Sequence, residues 1–243
     1  MFKIIHADLY KSFHRMYLYV FMAIMSAMAI LYNCIFASQS APREMAFQVT
    51  LMLLVYPLYF MVMFVDIILG EENKEHTMKN TISFGISRPK LFIAKNISAI
   101  IVSMAVAAVT VAVFFVSSLI LLKPGAGYTN ALLSDLGLKI AAALLVYIAA
   151  IVMGTFLATM IKRNGLFIFA YFGAIIVPVL VFKLLALANS GFRKVADVML
   201  MAQTDILPQA TSAQMLTVVW VALAHIVIFG ILGAVLSKRQ EIN

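Results

Sequence analysis

The side chains that could do chemistry in this sequence are few and scattered. Four histidines, His6, His14, His76 and His225, fall on separate segments and suggest no metal cluster. Cys34 is the single cysteine, which rules out an intrachain disulfide framework and a cysteine-based zinc site. The phosphate-cradling G-x-x-x-x-G-K-[ST] loop is absent, so the chain does not bind and hydrolyse ATP by that route, and H-E-x-x-H and G-x-S-x-G are absent too. Asp66, Lys183 and His225 stand inside long apolar runs, where an ionisable group is costly and is therefore a candidate for a gate or a substrate path. The plainer readings are that Asp66 and Lys183 lie close enough to an interface to reach water, and that a neutral His225 bonds a neighbouring helix. What remains is residues 70–95, GEENKEHTMKNTISFGISRPKLFIAK, the longest strongly polar stretch in the chain.

The elements that must hold that stretch follow from composition. The 243 residues are 64% hydrophobic and 12% charged, whereas a soluble domain carries about twice that charged fraction. Six runs, at about 17–36, 47–69, 97–122, 138–161, 166–187 and 215–236, are long enough to cross a hydrocarbon core as helices. The expected fold is all-α: a polytopic membrane protein with six transmembrane helices, a single domain over residues 1–243. Six crossings put both termini on one side. The segments on that side carry twelve Lys and Arg against six on the other, which predicts cytoplasmic termini and a cytoplasmic polar stretch. The net charge of +8 then reports retained loops rather than affinity for nucleic acid.

Residues 1–16 read as an amphipathic helix. Phe2, Ile5, Leu9, Phe13 and Met16 share one face, and Lys3, Lys11, His14 and Arg15 lie roughly opposite. Such a helix suits the inner headgroup plane. A signal peptide is the competing reading, but the apolar run is longer than a typical signal core. In the loop 188–214, Phe192, Val195, Val198, Met199, Ala202 and Ile206 recur at helical spacing, which predicts a short helix at the outer interface ending before Pro208. Pro57 and Pro178 fall within crossings and can kink them. Ala150, Gly154 and Ala158, and Gly230 and Ala234, offer close helix approach, within the bundle or between subunits.

Within the polar stretch, acidic Glu71, Glu72 and Glu75 precede basic Lys79, Arg88, Lys90 and Lys95, an order that suits the dipole of a short surface helix. Gly85 and Pro89 are expected to break the path before the third crossing. Glu71-Glu72-Asn73-Lys74-Glu75-His76 resembles the Glu-Glu-x-x-x-Arg signature of CAAX-type intramembrane proteases, whose paired carboxylates would activate water. Here His76 replaces the arginine and the later Phe-x-x-x-His is missing, since Val221 stands four residues before His225. A solvated charge run is the plainer reading.

A second resemblance covers more of the chain. Glu72, His76-Thr77-Met78-Lys79-Asn80, Ser83, Gly85-Ile86-Ser87-Arg88 and Leu91-Phe92-Ile93-Ala94-Lys95 resemble the loop after the second crossing of ABC-2-type transporter permeases. His76 stands where that family usually has glycine. The resemblance implies a permease that binds no cofactor itself and works with two copies of a cytosolic ABC ATPase carrying ATP and magnesium. It implies a second permease copy, as homodimer or related heterodimer, in a bacterial cytoplasmic membrane among its lipids. Residues 70–96 would form the coupling loop, with Glu72, Glu75, Thr77, Met78, Lys79, Asn80, Ser83 and Arg88 at the ATPase and Lys162 and Arg163 as a minor second contact. Small size resembles exporters of bacitracin, lantibiotics or toxin-like amphipathic peptides. A substrate path along the subunit interface would use Tyr56, Tyr59, Phe60, Met63 and Asp66, although lipid contact or bundle packing explains any one of them as well. A stand-alone secondary transporter or channel is the alternative. It would need an ion-coupling site near the midplane, where His225 is almost the only candidate.

Overall fold

The structure, a computed structural model, describes residues 1–74, 85–161 and 163–239. Its helices are α1 (Phe2–Phe13), α2 (Met16–Ser38), α3 (Arg43–Met52), α4 (Tyr56–Lys74), α5 (Arg88–Leu121), α6 (Asn130–Met160), α7 (Asn164–Ala188), α8 (Gly191–Asp197), α9 (Leu200–Ile206) and α10 (Ser212–Arg239). No strand occurs among the described residues. Six stretches are long and apolar enough to cross a membrane, with α3 and α4 together forming the second. Helix is the form such runs take because hydrocarbon offers no partner to a free backbone N–H or C=O.

The fourth span, α6, is the axis. Val146, Ala149, Ala150, Ile151, Gly154 and Ala158 are buried along it, and α4, α5, α7 and α10 pack around it. The outer helices keep large apolar side chains exposed, among them Ile24 and Leu31 on α2, Leu184 and Leu187 on α7, and Trp220 and Ile231 on α10. Lipid is the medium that suits such a surface. The Ala150–Gly154–Ala158 row thus serves packing inside the bundle. A Cβ on Gly154 would stand 3.2 Å from Val65 Cγ2 and 3.3 Å from Tyr171 Cδ2. In α10 the close approach is at Gly233, where a Cβ would overlap the Phe92 ring, while the expected Gly230 faces open space.

Pro57 interrupts the second span as its type requires. Residues Leu53–Val55 form a 3₁₀ turn ahead of it, and α4 begins again at Tyr56. The missing N–H would have bonded Leu53 O, four residues earlier, which accepts instead from Tyr56 N–H within the turn. Two tyrosines from neighbouring helices also donate to carbonyls of this segment: Tyr147 OH to Leu54 O (2.6 Å) and Tyr171 OH to Leu58 O (2.7 Å). Pro178, by contrast, is carried within an uninterrupted α7.

At the end of the bundle away from the termini, Arg43 caps α5. Its guanidinium donates to Ser118 O (3.2 Å), Leu119 O (3.2 Å) and Leu122 O (2.6 Å), and lies 4.9 Å from the Tyr128 ring centre. These carbonyls lie at the C-terminal end of α5, the negative end of the helix dipole, and Ser118 O also accepts from Leu122 N–H (3.0 Å). Glu44 beside it accepts from the N–H groups of Gly125 (3.0 Å) and Gly127 (3.1 Å).

Three expectations change in detail. Pro89 does not break the chain: it is the second residue of α5, where its missing N–H costs nothing. Helix covers much of 70–96, since α4 runs to Lys74 and α5 starts at Arg88. The loop 188–214 holds two short helices, with Gln203 fully buried and its amide donating to Asp197 O.

Gly233→Val should lower stability by about 1–3 kcal/mol through overpacking against Phe92, and Gly230→Val by less than about 0.5 kcal/mol. Thermal unfolding of the purified variants would read both, and equal effects would contradict the close approach.

Candidate functional site

Three helices meet at the end of the bundle that carries the termini. The face of α1 that docks is formed by Ile5, Asp8 and Ser12 at helical spacing, while Phe2 stays exposed; the helix expected over 1–16 ends at Phe13, and Met16, also exposed, opens α2. Asp8 is 6% exposed, and opposite it, about two turns into α5, Lys95 is 2% exposed. Lys95 Nζ lies 2.7 Å from Asp8 Oδ1 and 2.6 Å from Glu72 Oε1 on α4. Ser98 Oγ adds a contact of 3.2 Å to Asp8 Oδ2.

The surrounding polar bonds extend this cluster. Arg15, between α1 and α2, donates to Ile67 O of α4 (3.3 Å) and to Tyr17 OH (2.6 Å). Asn73 Nδ2 donates to Ala158 O of α6 (3.1 Å). Together they fasten α1, the end of α4 and the start of α5 to one another and to the axis helix.

Two carboxylates and one ammonium leave a formal charge of −1 in a buried place. Burial pushes the Asp8 carboxyl above the ordinary aspartate range, and the neighbouring Glu72 pushes the same way. The attraction and hydrogen bond of Lys95 and the Ser98 contact pull it back only in part. The cluster is a fastening that holds its parts firmly at an electrostatic cost. Glu72, one of the carboxylates of the protease-like signature, is engaged by the Lys95 ammonium.

Of the residues expected at the ATPase, Glu72 is this strut. Arg88 opens α5, half-buried, and Arg163 is exposed immediately before α7. Glu75, Thr77, Met78, Lys79, Asn80, Ser83 and Lys162 lie outside the described residues. The five residues of the expected path do not converge. Tyr56 and Met63 are exposed on α4. Tyr59 turns toward the loop helices, its hydroxyl 3.8 Å from Met201 Sδ and its ring 6.3 Å from Phe172. Phe60 turns toward α2 and meets Phe21 at 5.9 Å. Asp66 is half-buried. His225 bonds a carbonyl of its own helix, Val221 O at 2.8 Å, rather than a neighbouring one. Lys183 pairs with Asp205 at 3.3 Å. No group of three or more His, Cys, Asp or Glu suited to a metal occurs among the described residues.

Asp8 is the member that pattern reading passes over. Its signal is a lone acid on a basic helix, one turn after Ile5 and one before Ser12.

A bundle of six apolar spans with a charge fastening at one end is a multi-pass membrane protein. A family profile described as "ABC-2 family transporter protein" matches residues 5–166, and the chain belongs to that family. It is therefore a membrane permease component of an ABC transporter, not itself the ATPase, and membership implies association with an ABC ATPase. No curated protein matches the chain.

Lys95→Met should destabilise the chain by about 3–5 kcal/mol, because it strands two buried carboxylates. Adding Asp8→Asn and Glu72→Gln should recover most of that loss. Thermal unfolding in one detergent would compare the three proteins, and no recovery would contradict the charge origin. The pH dependence has a fixed sign. A raised folded-state value makes Asp8's contribution greatest in acid and lost as pH rises through that value. Wild type should therefore lose stability relative to Asp8→Asn as pH rises above about 4. Parallel curves over that range would contradict this.

Proposed function

We propose that this chain is the membrane subunit of an ATP-driven exporter, paired with a second permease copy and two cytosolic ABC ATPases, in a bacterial cytoplasmic membrane with both termini in the cytosol. The observation that carries the reading is the Asp8–Lys95–Glu72 fastening. It joins α1, α4 and α5 on either side of residues 75–87, so a push on that segment reaches three helices as one body. Lys and Arg are twice as numerous on the segments of this end as on the opposite one, which supports its placement in the cytosol.

In this reading Glu75, Thr77, Met78, Lys79, Asn80 and Ser83 contact the ATPase, Arg88, Lys162 and Arg163 border the contact, and Glu72 acts through Lys95 by setting the segment's position. ATP and magnesium sit on the partner, which performs the hydrolysis. Cargo passes along the interface between the two permease copies, against the exposed face of the second span that carries Met52 at the end of α3 and Tyr56 and Met63 on α4. Tyr59, Phe60 and Asp66 border that face. Mobile, polarizable methionine and aromatic surface suits an amphipathic peptide, and antimicrobial or toxin-like peptides are the class that the sequence resemblance favours.

The test is co-purification from the native host in mild detergent. The tagged chain should carry a stoichiometric ABC ATPase, and Glu75→Lys with Lys79→Glu should reduce the bound ATPase by about tenfold or more, equivalent to about 1.4 kcal/mol. The variant should unfold at the wild-type temperature. A chain that purifies alone, or retains its ATPase after both reversals, would contradict the coupling assignment.

A further inference from the structure

An apolar cavity of about 250 Å³ lies between α2, the α3–α4 break, α5 and α6. It belongs neither to the charge fastening nor to the exposed face of α4. Its shape follows from how α2 crosses the second span. Toward the termini end, Phe21 sets its ring edge-on against Phe60 (5.9 Å, 60°) and Phe64 (5.6 Å, 82°). Toward the other end, Tyr32 OH donates to Ala46 O (2.8 Å). Between these two pins α2 offers only Met25 and Ala29, opposite the 3₁₀ turn and Pro57. The gap is where the second span is interrupted.

The cavity opens sideways. Leu53 on its rim is 37% exposed, and Met25 and Ala29 are only half-buried. Phe21 to Ala29 covers about 12 Å of helix and starts about 8 Å into α2, which is hydrocarbon depth in a membrane. No charged side chain lines the space. Of its four hydroxyls, Thr50 and Ser103 bond carbonyls of their own helices (2.8 and 2.9 Å), Tyr147 bonds Leu54 O (2.6 Å), and Thr110 Oγ1 has no partner among the described residues. Apart from that one hydroxyl the walls are apolar, and they suit a hydrocarbon chain rather than a headgroup.

We propose that the cavity binds one acyl chain of a membrane phospholipid, which enters between α2 and the interrupted second span while its headgroup stays outside. An apolar cavity of about 150 Å³ already takes a benzene-sized molecule, so this one holds a run of several methylenes. An empty cavity would leave its lining without dispersion partners, and the neighbouring medium is itself made of acyl chains. The occupant packs against the Pro57 break, so it sets the spacing between α2 and the part of the second span that can bend.

The test uses the full chain in nanodiscs of phosphatidylethanolamine and phosphatidylglycerol, doped with a phosphatidylethanolamine carrying a mid-chain diazirine. After irradiation, adducts are mapped by mass spectrometry. Adducts are expected on Met25 and Phe60. They should be lost in Ala107→Phe and in Met25→Trp, which fill the space from different helices, and kept in Val109→Phe, which adds bulk on an exposed part of α5. Two fillers keep the test decisive if one fails to fold, as judged by size-exclusion chromatography. Adducts confined to outward-facing Ile24, Met28 and Leu31, or unchanged in a folded filler variant, would overturn the proposal. Labelling by a diazirine-bearing single-chain alkyl amine but not by the phospholipid would also overturn it, and would assign the cavity to the apolar tail of a cargo.

Discussion

Lys95 holds two carboxylates from two other helices in a place with almost no water, and the termini end of the bundle depends on that arrangement. Asp8 brings α1 to it and Glu72 brings the end of α4. Apolar packing shares in the docking of α1, since Ile5 is buried and Leu9 and Phe13 pack against the core, while Phe2 is exposed. The ion cluster adds a polar fixed point beside that apolar row. Its strength lies in specificity, since burying three charges gains little net energy even when they are well paired.

The rest of the bundle is held by the rule that a membrane interior offers no water to a free polar group. On either side of Pro57, Tyr147 and Tyr171 reach in from α6 and α7 and donate to Leu54 O and Leu58 O. Where α5 ends, Arg43 covers its last carbonyls. Toward the C-terminal end of α2, Asn33 donates to Phe114 O (3.0 Å) and Ser117 Oγ (2.7 Å) of α5. Each is a fixed point, and between the fixed points the second span is interrupted. A bundle clamped at its ends and broken in the middle of one span can change shape without losing its contacts.

The architecture was legible because it rests on length and apolarity, which the sequence displays directly. Six runs predicted six spans, and their places agree closely. The polar stretch and its likeness to ABC-2 permeases gave the family, which the profile over residues 5–166 shows. What escaped is partnership across long sequence distances. Nothing local to Asp8 announces Lys95, 87 positions away, and nothing in Gly233 announces Phe92. Glu72 was legible as an important acid, but not as a strut, because its surroundings come from helices that only the fold brings together. His225 was misjudged in its partner for the opposite reason: its bond is to Val221 on its own helix, four residues earlier.

The central claim is that α1, α4 and α5 move as one body when the partner ATPases turn over. Double electron–electron resonance tests it most directly. In a Cys34→Ser background, spin labels at Tyr10 on α1 and Ile93 on α5, both exposed, would be compared with a pair at Tyr10 and Lys238 on α10. Measured in the assembled transporter with and without ATP, the first distance should stay fixed while the second changes. A first distance that broadens or shifts with ATP would show that α1 leaves α5, and the charge fastening would not be the unit through which the permease is driven.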